Sequence, residues 1–233
     1  MKKVILSLIP FIILFDTGCS STSSTLVSCT DCNLKNGKIY ANSGGSPFSG
    51  RIGLFDGDKT LLASVNVSRG RVKGLDVYEE DGSRSVEMRF VKSFEMEQLQ
   101  GVFNSSNQPP DLDMSTYSEK GVEIMNFSIR SNSLKGDIKN DEGKRLFRVN
   151  MDPNNGSGRF EAWYSDGKKR LNVVNDGKDN FSGYYWDSEG KRSSENLKNH
   201  AQDFLENDLR EVFRKLERKL EDSMKSFERF NFN

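Results

Sequence analysis

Three cysteines, one histidine and a few closely spaced acids are the residues of this 233-residue chain with the most chemistry to offer. Cys29-Thr30-Asp31-Cys32 has CxxC spacing. A thioredoxin-type redox pair sits at a strand-to-helix junction in a βαβ setting, and a zinc site needs a second ligand pair. The Ser/Thr-rich surroundings supply neither. Cys29 and Cys32 therefore read as a small local disulfide, as inert thiols, or as partners in an intermolecular bond. A single histidine, His200, argues against His-based metal sites and against a Ser-His-Asp triad. His200 reads as a solvated or capping residue. Asp111 and Asp113 form Asp-Leu-Asp beside Pro109-Pro110. Hard cations gather several oxygens, so the pair reads as solvated loop acid. No phosphate-cradling glycine loop, HExxH, EF-hand or GxSxG motif occurs. A glycan hydrolase would need two acids at a defined separation, and spacing singles out none. The expectation is a protein that is not an enzyme, with no cofactor and no metal.

Aromatic residues offer a different chemistry. Trp163 and Tyr164 fall in one segment, and Tyr184, Tyr185 and Trp186 in the next. Adjacent strands would bring the five into one patch. Such a patch is either core under a covering element or a candidate binding platform for a protein or glycan partner. The 34 basic residues balance 34 acidic ones. That balance argues against nucleic acid as a partner, because phosphate neutralisation needs a basic excess.

The N-terminus reads as an address. Residues 1–18 carry Lys2 and Lys3, then an apolar run from Val4 to Phe15. A spanning helix needs ~20 apolar residues, so this run is a signal peptide and not an anchor. Asp16-Thr17-Gly18-Cys19-Ser20 follows and resembles a bacterial lipobox, with Asp16 where that family usually has an aliphatic residue. The resemblance implies acylation of Cys19, with palmitate-type chains, and a mature protein tethered to the membrane by lipid. Ser20 after the cysteine implies, by similarity to enteric lipoproteins, the outer membrane of the cell envelope. Residues 19–32 read as a Ser/Thr-rich tether.

Residues 33–193 carry a repeat. Turn-like glycines recur at Gly37, Gly57, Gly82, Gly121, Gly143, Gly167 and Gly190. A second glycine, at Gly50, Gly74, Gly136, Gly158 and Gly183, follows Ser or Lys and precedes the turn. Asp-Gly and Asn-Gly supply the positive φ of tight hairpin turns. Period-2 alternation flanks them, as in Leu75 and Val77 before one turn and Val86, Met88 and Phe90 after it. The leading glycine is expected to turn the chain from one hairpin into the next. One long step between turn glycines carries an insertion near residues 93–114, a tolerated loop or a functional one. The pattern of Ser/Lys-Gly, strand, Asp/Glu-Gly-Lys, strand resembles the MORN-variant repeat family. Its best matches are Lys73-Gly74 to Phe90 and Ser157-Gly158 to Val174. That resemblance implies an elongated antiparallel sheet used for binding, and an alternative role as an antitoxin or immunity-type protein that neutralises a partner toxin.

From Ser194 the period changes. Leu205, Leu209, Val212, Leu216, Leu220, Met224 and Phe227 form one helical stripe, uninterrupted by Gly or Pro. A sheet one layer thick leaves an apolar face wet. Residues 194–233 are therefore expected to be a long amphipathic helix folded across the sheet, with a coiled coil or a membrane-surface helix as the other uses of the stripe. The fold class expected is mainly β: an antiparallel meander of repeated hairpins with one C-terminal helix on the sheet.

Overall fold

A computed structural model describes residues 26–28, 32–41, 45–95, 111–178, 180–208, 210 and 214. The signal peptide, Cys19, Cys29 and most of the 93–114 insertion lie outside the described residues, as does the stripe from Leu209 onward. The fold is mainly β, with consecutive strands pairing antiparallel. The chain divides at Asp113/Met114 into two compact units.

The first unit contains β1 (Leu26–Ser28), β2 (Cys32–Lys35), β3 (Lys38–Ala41), β4 (Gly50–Phe55), β5 (Leu61–Ser68), β6 (Arg71–Tyr78) and β7 (Arg84–Phe94). β4 to β7 form a meander, and β2 and β3 form a separate hairpin. β1 pairs with β4 in parallel, at Leu26–Arg51, Val27–Ile52 and Ser28–Gly53. The 19–32 tether expected from Ser/Thr content is thus partly sheet. Leu26 and Val27 suit a strand, and three residues of backbone pairing are invisible to composition. β8 (Leu112–Tyr117) begins at the division. Asp113, expected in a loop, lies inside that strand, and β7 runs to Phe94, so both ends of the expected insertion are strand.

The second unit continues with β9 (Glu123–Arg130), β10 (Ser133–Lys139), β11 (Arg145–Met151), β12 (Gly158–Trp163), β13 (Lys169–Asn175), β14 (Phe181–Trp186) and β15 (Arg192–Ser193). β9 to β15 form an unbroken antiparallel run. Phe147, Val149, Phe160, Ala162, Leu171 and Val173 are buried on one face of it. Helix α1 (Leu197–Asp203) covers that face, and a π-helical turn (Phe204–Asp208) follows it. Leu197, Ala201 and Phe204 are its buried residues. The Phe204 ring lies 5.5 Å from that of Phe147. The helix expected across the sheet is present, but its contact begins at Leu197, upstream of the expected stripe. The π turn interrupts the α-helical period before Leu209.

One turn is used repeatedly. Gly82, Gly121, Gly143, Gly167 and Gly190 all have φ between 73° and 90°. Each donates its N–H to the carbonyl three residues earlier, at 2.8–3.0 Å, and the residue bearing that carbonyl donates its own N–H to the carbonyl four residues ahead. A bulge accompanies three of these turns, at Val77/Tyr78, Ile138/Lys139 and Ala162/Trp163. The β4–β5 turn also carries one, at Leu54/Phe55, but takes its positive φ at Lys59 rather than at Gly57.

The leading glycines do not turn the chain, contrary to expectation. Arg69-Gly70, for example, makes the bend between β5 and β6, with φ of 51° and 78°. Gly74, Gly136 and Gly183 lie inside strands, where neighbours come too close for a side chain. A Cβ at Gly183 would sit 2.1 Å from the Asn172 carbonyl oxygen, on a backbone with φ of 133°. Gly167, by contrast, has nothing within 4 Å. Gly183→Ala is expected to lower stability by roughly 3 kcal/mol, from overpacking plus strain. Gly167→Ala should cost only about 1 kcal/mol, the price of its left-handed backbone. Urea denaturation of both variants checks the difference, which should appear in the midpoint and not in the slope.

Candidate functional site

The five aromatics singled out in the sequence do not form one patch. β13 separates β12 from β14, and alternation divides the residues between two faces. Tyr164 and Tyr185 join the helix side. Tyr185 stacks on His200 with ring centroids 3.7 Å apart; His200, expected to be solvated or capping, is exposed and also rests one ring face on the sheet. Arg170 lies 5.4 Å above the Tyr164 ring and 5.3 Å from that of Phe204. Arg170 reaches this face because it is the extra residue of the β12–β13 bulge, where Ala162 pairs with Leu171 and Trp163 with Lys169. The Tyr164 hydroxyl donates to the Trp186 carbonyl at 2.8 Å and ties the turn to β14.

Trp163, Tyr184 and Trp186 occupy the opposite face. Tyr184 is 42% exposed, and the Tyr184 and Trp186 rings lie 6.3 Å apart. Cations sit on these rings: Lys169 Nζ at 4.3 Å and the Arg145 guanidinium at 5.5 Å from Trp163, and Arg192 at 4.4 Å from Tyr184. Cross-strand ion pairs link the same face. Lys169 donates to Glu161 at 2.6 Å, Arg148 donates to Asp137 at 3.2 Å, and Arg145 also pairs with Asp137. The result is an open surface of aromatic rings bearing held cations.

Glu123, at the start of β9, is a carboxylate held by three side-chain donors. Burial pushes its pKa up. Hydrogen bonds from Asn126, Lys139 and Ser115 outweigh that and hold it below the ordinary glutamate value. The donors lie at 3.0, 3.1 and 3.1 Å. A depressed folded-state pKa contributes stability above the ordinary value and loses it as pH falls through the folded one. Glu123→Gln is therefore expected to flatten the acid limb of the stability–pH curve, measured by thermal melts from neutral pH downward.

The first unit holds a polar cluster that sequence reasoning missed. Asp76 is 1% exposed. It accepts hydrogen bonds from Asn66 at 2.8 Å, Ser64 at 3.3 Å and Arg89 at 2.8 Å. Arg84 stands 3.8 Å away, and Arg51 donates to Ser64 and to the Tyr78 hydroxyl. Gly74, Asp76 and Tyr78 alternate with Leu75 and Val77, a signal that β6 has a polar face. Burial of the carboxylate is set by arginines on neighbouring strands and is not readable from β6 alone. Removing it as Asp76→Ala leaves those donors without their acceptor, at an expected cost of roughly 2–3 kcal/mol, while Asp76→Asn should lose less because it keeps an acceptor oxygen. Chemical denaturation of the two variants tests the ordering.

Cys32 opens β2. Among the described residues no group of three or more His, Cys, Asp or Glu side chains is placed to hold a metal ion. No protein-family model matches the chain, and no curated protein is significantly similar to it.

Proposed function

We propose that this is a non-catalytic, lipid-anchored protein of the cell envelope that uses its hairpin sheet to hold another macromolecule. The observation that carries the reading is the division of the aromatics. Trp163, Tyr184 and Trp186 face away from the helix, with cations seated on the Trp163 and Tyr184 rings. Large aromatic and arginine side chains at an open surface are the residue types that anchor interfaces. The likeness of the turn pattern to MORN-variant repeats supports a binding role, and the lipobox-like Thr17-Gly18-Cys19 supports the anchor.

Two measurements test this. Intact mass of the mature protein is expected to give an N-terminus at Cys19 carrying acyl chains, and globomycin should accumulate the unprocessed form. An unacylated N-terminus downstream of Cys19 removes the anchor. A photoreactive residue at Tyr184 is expected to form a discrete macromolecular adduct in whole cells, while one at exposed Asp141 should not. Equal yields at the two positions would dismiss the open face as a binding surface.

A further inference from the structure

We infer that the open face of β11–β15 is a track for an extended acidic polysaccharide, an assignment that rests on the binding reading above and names its partner. Charge is the first argument. Arg145, Arg148, Arg159, Lys169 and Arg192 share this face, which is shown by their contacts with Trp163, Asp137, Asn172, Glu161 and Tyr184. Two carboxylates answer them, Glu161 on β12 and Asp137 on β10. Five cations less two anions leaves an excess of three positive charges on a chain whose overall charge is zero. Arg159 and Arg192 make no ion pair with any described residue. Arg159 is exposed, and its Nε donates to Asn172 Oδ1 at 3.2 Å.

Preorganisation is the second argument. A long basic side chain loses rotamer freedom when it grips an anion, and that loss weakens binding. Lys169 and Arg145 on Trp163, and Arg192 on Tyr184, are already held by their rings. The aromatics act as pedestals that fix the cations before a ligand arrives.

Two features choose a polysaccharide over an acidic polypeptide. An extended peptide gains much of its affinity from main-chain hydrogen bonds at a sheet edge, and a sheet face has no free backbone to offer. Interleaved with the cations are Asn150, Asn172 and Ser182, whose side chains both donate and accept, as hydroxyl groups require. The cations also recur along the sheet, on β11, β12, β13 and β15, and strands two apart, such as β11 and β13 or β13 and β15, stand ~10 Å apart. A polymer carrying one anion per short repeat matches that ladder.

The test uses the full-length protein and three polymers: polygalacturonate, neutral dextran and poly-L-glutamate. Calorimetry or affinity electrophoresis at low and at physiological salt reads the binding. Polygalacturonate is expected to bind with an affinity that falls as salt rises. Dextran should not bind, and poly-L-glutamate should bind at least roughly tenfold more weakly. The double variant Arg159→Gln with Arg192→Gln is expected to weaken polygalacturonate binding roughly tenfold, whereas Lys73→Gln in the first unit should not change it. Circular dichroism confirms that both variants fold. Equal affinity for poly-L-glutamate would reassign the face to an acidic protein, and equal binding of dextran would remove the role of charge. No binding of polygalacturonate, or no effect of the double variant, overturns the track. If the Tyr184 cross-link still forms in that case, the polysaccharide assignment fails and the binding reading survives.

Discussion

A left-handed glycine that closes a hairpin and a bulge beside it are the constraint from which most of this structure follows. The glycine N–H reaches back three residues, and the residue it meets reaches forward four, so the turn fixes two hydrogen bonds. Where the bulge adds one residue to the returning strand, it reverses the alternation of side chains there. At the β12–β13 turn this decides the chemistry. Trp163 and Lys169 face one way, and Arg170 and Leu171 the other. Without that extra residue Lys169 would not reach the Trp163 ring, and Arg170 would not cover Tyr164 and Phe204.

The two units resolve polar residues in different ways. In the first, donors converge on one carboxylate, Asp76, and the cluster is satisfied largely within the sheet. Replacing one partner there is costly because the others stay buried. In the second, carboxylates are fewer than cations on the open face, and rings make up part of the deficit. Ring contacts steady a cation but do not neutralise it, so its field remains available. The same fold therefore supports a closed network in one unit and an unspent field in the other.

Alternation and turn glycines were sufficient to read the meander, because strand period and positive φ are local properties. The helix on the sheet followed from the need for a second layer. What escaped was whatever depends on neighbours. Gly74, Gly136 and Gly183 resemble turn formers in sequence, yet they answer to a carbonyl or a ring on the next strand. Gly57 resembles the other turn glycines, but Lys59 takes the left-handed conformation in its place. Tyr164 and Tyr185 looked like partners of Trp163 and Trp186 until the bulge and the intervening strand separated them. Asp76 is ordinary in the sequence and becomes central only when Asn66 and Arg89 arrive from β5 and β7.

The parallel strand at the start of the first unit has a mechanical side. Six residues lie between Cys19 and Leu26, and the seven Cα-to-Cα steps across them span at most ~25 Å. With a lipid on Cys19, β1 stays within that radius of the bilayer surface, because its pairing with β4 stops the leash from lengthening. The molecule would then search a thin layer in two dimensions rather than a volume. Losing the three β1–β4 pairs would pay out more chain and dilute that local concentration, without touching a single contact residue.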